Sequence, residues 1–217
     1  MTFIIAEHRY ILSSAKVPGV LDALDDLRLG ETKFPQPYNH TLYFDTKSPT
    51  SRARRYADNP LKIRVDLGFE KKWFYETKTN EPIGAGWLLT VKTRQEETDL
   101  ADVVRKADAA LITATSYKRR HFSENDQEGA VRVTLDDDVQ FFQITESESE
   151  DFTMAARSGV LGGKEGAIIE IKSPPKKASS PLSMAIQSLL RQTGAKDSAS
   201  KRDRAEAFSR IPLMVKC

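Results

Sequence analysis

The stretch Trp73-Phe74-Tyr75-Glu76-Thr77-Lys78-Thr79 decides how the rest of the chain is read. Side chains of a β-strand alternate between two faces. Glu76 and Lys78 therefore fall on one face, Tyr75 and Thr77 on the other. One charged strand face is ordinarily the wet side of a sheet. The same grammar recurs, however: Glu7 and Arg9, Lys62 and Arg64, Lys92 and Arg94, and Glu170 and Lys172 are each spaced two apart. Strands that each bring such a pair would share one charged surface if their sheet closed on itself, and that surface would be the inside of a barrel. An interior lined with Arg, Lys and Glu is costly unless it is wet or holds a strongly charged ligand. A polyphosphate chain with a divalent metal suits many cations and a few carboxylates.

The 217 residues fit a single barrel-like domain spanning 1–217. Lys and Arg number 33 against 31 Asp and Glu, so the net charge of +2 says nothing about partners and only the placement of charge is informative. The single cysteine, Cys217, excludes a disulfide within one chain and makes a reducing cytoplasm the simplest compartment. The apolar run at Phe3-Ile4-Ile5-Ala6 is too short for a signal peptide, and no segment approaches the ~20 apolar residues of a membrane span.

Working outward, the pattern predicts strands over 3–13, 41–45, 61–66, 73–79, 87–94, 113–123, 130–142 and 167–173. The strand at 61–66 alternates cleanly, with Lys62, Arg64 and Asp66 against Leu61, Ile63 and Val65. The strand at 130–142 sets Arg132, Thr134 and Asp136 against Val131, Val133 and Leu135, and 113–123 holds the densest cationic run, Lys118-Arg119-Arg120-His121. Apolar residues at helical spacing predict helices from Val20 to Leu29, stopped by Gly30, and over 98–110. Ser180 before Pro181 reads as an N-cap with proline in the first turn, Gly194 ends that helix, and 202–208 reads as a last short helix. Residues 48–58 read as a short helix or surface loop, and the acidic tract 146–151 as exposed. Eight strands joined by turns and short helices predict an α+β, mainly β fold, an antiparallel sheet closed on itself with its apolar face outward beneath the helices.

Each charge alone has a plainer explanation. Arg119 or Arg132 by itself is an ordinary surface residue, and Glu170 beside Lys172 is an ordinary ion pair; recurrence over five strands is what argues for a site. Arg offers phosphate a planar fork and Lys a mobile point charge. Glu170 has a second reading as a ligand to Mg²⁺ or Mn²⁺, which take carboxylate and phosphate oxygens together. His8, His40 and His121 lack metal-binding spacing, no glycine-rich phosphate loop is present, and nucleic acid is disfavoured because the face carries few stacking aromatics.

In this order the motifs resemble the VTC domain, the catalytic domain of the vacuolar transporter chaperone, within the triphosphate tunnel metalloenzyme superfamily. The matching pieces are Glu7-His8-Arg9-Tyr10, Leu42-Tyr43-Phe44-Asp45, Lys62-Ile63-Arg64, Glu76-Thr77-Lys78-Thr79, Val91-Lys92-Thr93-Arg94, Tyr117 to Phe122, Val131 to Asp136, Glu170-Ile171-Lys172 and Ser200-Lys201. The resemblance implies an eight-stranded antiparallel closed tunnel with flanking helices and a C-terminal helical lid. It implies phosphate contacts from Arg9, Lys62, Arg64, Lys78, Arg119, Arg132 and Lys201, with Lys92, Arg94 and Lys172 as further substrate-binding cations. It implies Mn²⁺ or Mg²⁺ at Glu170, with Glu7 and Glu76 as further candidates. The activity implied is transfer of the γ-phosphate of ATP onto inorganic polyphosphate; hydrolysis of a triphosphate on the same tunnel, and non-catalytic sensing of polyphosphate or nucleotide, are the alternatives. Arg9 stands where the family often has Lys, and His121 where it usually has a small residue.

Overall fold

The computed structural model describes residues 1–32, 38–46, 61–67, 71–97, 109–125, 129–143, 155–157 and 166–199, together with 201, 203, 204 and 207. The fold is α+β and mainly β, an antiparallel sheet with, among the described residues, two helices of ten residues or more, as the strand-rich pattern predicts. The strands are β1 (Thr2–Leu12), β2 (Gly30–Thr32), β3 (Tyr38–Thr46), β4 (Leu61–Leu67), β5 (Lys71–Gly84), β6 (Trp87–Glu97), β7 (Ala109–Ser123), β8 (Arg132–Gln143), β9 (Ala155–Arg157), β10 (Ala167–Ser173) and β11 (Lys196–Asp197). The helices are α1 (Val17–Asp26) and α2 (Pro181–Gln192), each preceded by a short 3-10 turn.

Pairing runs from β3 through β4, β5, β6, β1, β10 and β8. Strand β7 lies along β3 by one edge and along β8 by the other. Each of these eight strands therefore has a neighbour on both sides. β1 is shared by three partners: β6 covers residues 2–7 on one edge, β11 covers Tyr10 and Ile11, and β10 covers residues 6–12.

The opening stretch is the middle of β5, whose hairpin to β6 turns through Ala85 and Gly86, both at positive φ. Gly86 is required there twice over: its φ is +81, and a Cβ would sit 2.5 Å from Nε2 of His8.

The main apolar core lies between one face of the sheet and the helices. Tyr10 and Leu12, the odd-numbered Val131, Val133 and Leu135, and Ile169 and Ile171 pack with Val20 and Leu24 of α1 and Ile186 and Leu190 of α2. The apolar alternates thus face the helices, and the charged alternates face the other way. α2 begins as its sequence requires: Ser180 accepts a hydrogen bond from the Ser183 amide at 3.2 Å, and Pro181 occupies the first turn. Gly194, at φ +81, follows its end. A second, smaller cluster of Tyr117, Val139, Phe141 and Ile168 is separate from this core.

Some expectations shift. Of the helix read over 98–110, residues 109–110 open β7 instead and the rest lie outside the described residues. The segments 48–58 and 146–151 also lie outside them. β2, β9 and β11 were not foreseen, because two or three residues cannot display a period of two. α1 begins three residues earlier than its periodicity starts, with Pro18 in its first turn. Of the last short helix, Asp203, Arg204 and Ala207 are helical, as is Lys201 before it. Among the described residues no helix is long and apolar enough to cross a membrane.

Candidate functional site

The register of the sheet aligns the charged pairs into one surface. Glu7 lies opposite Lys172 and Arg9 opposite Glu170. Glu170 lies opposite Thr134 and Lys172 opposite Arg132. Arg119 lies opposite Asp136. On the other side, Glu76 lies opposite Arg94 and Lys78 opposite Lys92.

Four buried carboxylates organise the cations. Glu7 binds Arg9 and, at 2.6 Å, Lys78. Glu170 gathers Lys172 at 2.7 Å, Lys201 at 3.0 Å, Arg9 at 3.4 Å and Arg119 at 3.6 Å. Asp136 receives Nε of Arg119 at 2.5 Å and its NH2 at 2.6 Å, a two-pronged pair, and also binds Lys201. Glu76 holds Lys92 at 2.6 Å and Arg94 at 3.3 Å. The ring of Tyr117 lies beneath two of the cations, 5.0 Å from the Arg119 guanidinium and 4.9 Å from the Lys201 ammonium.

These contacts set the protonation states. Burial alone would raise the Glu170 carboxyl, but Lys172, Lys201, Arg119 and Arg9 together hold it well below the usual carboxylate range. Asp136 is likewise pushed up by burial and drawn down further by Arg119 and Lys201. Glu7 is lowered against its burial by Lys78, Arg9 and Lys172. Lys172 moves the other way: burial lowers it, and Glu170 offsets that only in part. The cage thus holds ionised carboxylates and cations side by side, and the described cations outnumber the carboxylates.

The structure brings Glu7, Arg9, Lys78, Arg119, Glu170, Lys172 and Lys201 into one network and Glu76, Lys92 and Arg94 into a second. Arg132 stays apart from both and is exposed; with Lys172 it borders a cleft of ≈ 260 Å³. Lys62 and Arg64 occupy β4, with Lys62 in register with Glu76, and their side chains lie outside the described residues. Two residues central to the cage had no role in the sequence reading, Asp136 and Tyr117. Alternation with Arg132 and Thr134 already placed Asp136 on the charged face; what was missing was that β7 sets Arg119 against it.

Among the described residues no three His, Cys, Asp or Glu side chains converge as a metal centre. The donor chemistry nevertheless fits a hard divalent ion. Such ions keep one or two carboxylates and complete their shell with phosphate oxygens and water. Glu7 and Glu170 lie on paired strands, both contact Arg9, and the charge of Glu170 opposes ionisation of Glu7. Glu76 is engaged with Lys92 and Arg94 instead.

On the outer face, His8 binds Asp197 at 2.9 Å and stacks on Tyr10 with ring centres 4.4 Å apart. Burial lowers its imidazole, so it is a neutral anchor for β11. β11 leads directly into the segment that delivers Lys201.

Solved structures share this fold at low identity. A protein of Pyrococcus horikoshii OT3 superposes with a TM-score of 0.58 at 13% identity, over 95% of this chain and 99% of that one. An adenylyl cyclase homologue from Hippeastrum, reported to have a dominant triphosphatase activity, gives 0.52 at 14% identity over 98% and 99%. A chain of the Schizosaccharomyces pombe Mediator head module gives 0.55 at 13% identity over 88% and 94%, so the fold by itself does not fix a function. No curated protein matches in sequence. The VTC domain family matches residues 76–201, a span that holds Glu76, Lys78, Arg119, Asp136, Glu170, Lys172 and Lys201. With more than half of the sequence matched, the chain belongs to the VTC domain family.

Proposed function

We propose that the ring of eight strands acts as a tunnel that grips a linear triphosphate or polyphosphate and supports divalent-metal-assisted transfer of its terminal phosphoryl group. The observation behind this is seven cations, three buried and four half-buried, converging on four buried carboxylates, with Arg119 and Lys201 both held on Asp136. Phosphoryl transfer asks a protein mainly for positioning and charge neutralisation. Arg9, Arg119, Lys172 and Lys201 are fixed in place by carboxylates before any ligand arrives. Phosphate oxygens then compete for their N–H groups. Glu7 and Glu170, relieved of their cations, would hold Mn²⁺ or Mg²⁺ together with those oxygens, and the ion would withdraw charge from the transferred group.

Family membership favours ATP as donor and inorganic polyphosphate as acceptor, with ADP released. No general base is needed when the acceptor is an ionised phosphate. The second reading makes water the acceptor, and buried Glu7 supports it as a carboxylate available to orient that water. Incubation with ATP and Mn²⁺ followed by gel analysis separates them: long chains mark the polymerase, phosphate release alone the hydrolase. Under either reading, Arg119→Ala and Lys201→Ala each reduce turnover by about 100-fold or more with the circular dichroism spectrum retained. Full activity in both variants refutes the assignment of this cage as the site.

A further inference from the structure

We propose that Asp197, held by His8, is a positioning residue for Lys201: the pair latches the C-terminal segment from the helix side of the sheet, so that the Lys201 ammonium stands in the cage before a ligand arrives. This rests on the phosphate reading above. β1 carries both halves of the device on alternate residues. Glu7 and Arg9 face the cage, and His8, between them, faces the helix side with Tyr10 and Trp87. The His8 ring is fixed from three directions. Tyr10 stacks on it, Trp87 meets it edge-on with centres 5.6 Å apart, and the β5–β6 hairpin closes on Nε2 so tightly that Gly86 has no room for a Cβ. The Tyr10 hydroxyl, 3.3 Å from Nδ1, can donate there, which leaves Nε2 to donate to Oδ1 of Asp197. A ring so constrained offers its proton in one direction, and Asp197 stands in it.

Asp197 itself is mostly exposed, and an exposed carboxylate adds little stability through one ion pair. What the contact gives is place. β11 takes the edge of β1 just past the end of β6, with Asp197 opposite Tyr10 and Lys196 opposite Ile11. The next residue, Ser198, donates its amide to the Arg9 carbonyl at 3.0 Å, and its hydroxyl accepts from Nε of Arg204 at 3.1 Å. Lys201 thus lies between two fastenings, Asp197 with Ser198 before it and Arg204 after it. Its Nζ reaches Glu170 at 3.0 Å and also binds Asp136, over the Tyr117 ring that it shares with Arg119. Bringing a long, charged side chain into a buried site beside another cation costs hydration and rotamer freedom. A segment already fastened has fewer conformations to lose. The latch therefore acts through the fraction of molecules with Lys201 in place, and that fraction scales the affinity for a phosphate ligand.

The test is the affinity of the full chain for tripolyphosphate, measured by calorimetry in excess Mg²⁺, for the unaltered protein, Asp197→Ala, Asp197→Asn, Lys201→Ala and the Asp197→Ala, Lys201→Ala double variant. Charge and position predict opposite signs. Asp197 is an anion on a chain that binds an anion. Removing its charge alone strengthens binding, by less than about twofold at a screened surface, and equally in the Ala and Asn forms. Loss of the latch instead weakens binding by Asp197→Ala by about fivefold. Asp197→Asn keeps an oxygen for the His8 donor and recovers most of that loss. In the Lys201→Ala background, Asp197→Ala brings no further loss, because the residue it positions is gone. Equal or tighter binding by Asp197→Ala, an equal loss in the Asn form, or the same loss with and without Lys201 overturns the latch and leaves the phosphate reading standing. Failure of the unaltered chain to bind tripolyphosphate overturns the phosphate reading and the latch with it. Because Asp197 is exposed, neither substitution disturbs core packing.

Discussion

Asp136 holds two cations at once and is fully buried. Replacing it with Asn keeps the shape but leaves Arg119 and Lys201 crowded without their counter-ion. The expected loss is about 3 kcal/mol of unfolding free energy, because a buried pair broken on one side leaves charge uncompensated. Urea titration measures it. The same carboxylates dictate the acid response. Asp136 and Glu170 both lie below their ordinary values in the folded chain. Groups depressed in this way stabilise the fold fully above the unfolded carboxyl value of about 4 and lose that contribution as the pH falls from there towards the folded values. The urea midpoint is therefore expected to hold from neutral pH to about pH 4 and to fall below it; a midpoint that falls steadily from neutrality contradicts the paired cage. At this scale the sequence was informative in a particular way. The two-residue spacing of Glu7 with Arg9 and of Glu170 with Lys172 sorts side chains to a face. It does not say which strand lies alongside. Asp136 was visible as a member of the face and invisible as the partner of Arg119, since that pairing depends on how β7 meets β8.

Among the elements, α2 was the most legible, because Ser180, Pro181 and Gly194 are local signals that need no partner. Ser180→Ala removes the acceptor for the Ser183 amide and is expected to cost about 1 kcal/mol, read as a lower thermal midpoint. The β8 bulge, where the register with β7 shifts between Ser116 and Lys118, was the least legible. It turns on one residue, Asp138, in the left-handed region, and aspartate enters that region often enough that nothing in Val133 to Phe142 announces it. The C-terminal segment lay between these extremes. A lid was expected from it, and Lys201 does reach the cage; β11, however, first runs along β1 beside Tyr10 and Ile11, fastened by Asp197 to His8. Two residues of strand have no periodicity to detect, and their place is set by the open edge of β1 beyond β6.

For the molecule as a whole, a net charge of +2 conceals a strongly polarised interior. Under the proposed function, tripolyphosphate binds the folded chain and finds no such cage in the unfolded one. At about 100 times its Kd it is expected to add about 2.7 kcal/mol of stability, seen as a rise in Tm that shrinks as added salt weakens binding. An unchanged Tm at saturating tripolyphosphate contradicts the assignment. The architecture also governs how the chain is made. β1 is made before all three of its neighbours, β6, β10 and β11, at residues 87–97, 167–173 and 196–197. Synthesis must reach residue 197 before β1 has both edges fully covered. Until β10 is made, β1 exposes unpaired backbone along at least one side, with Ile4 and Ile5 among its side chains. Such long-range closure is slow to fold and open to misassociation while it waits. While this sheet is being made, the nascent chain is thus most vulnerable to aggregation at β1, and a holdase acting on it has its natural target in residues 2–12.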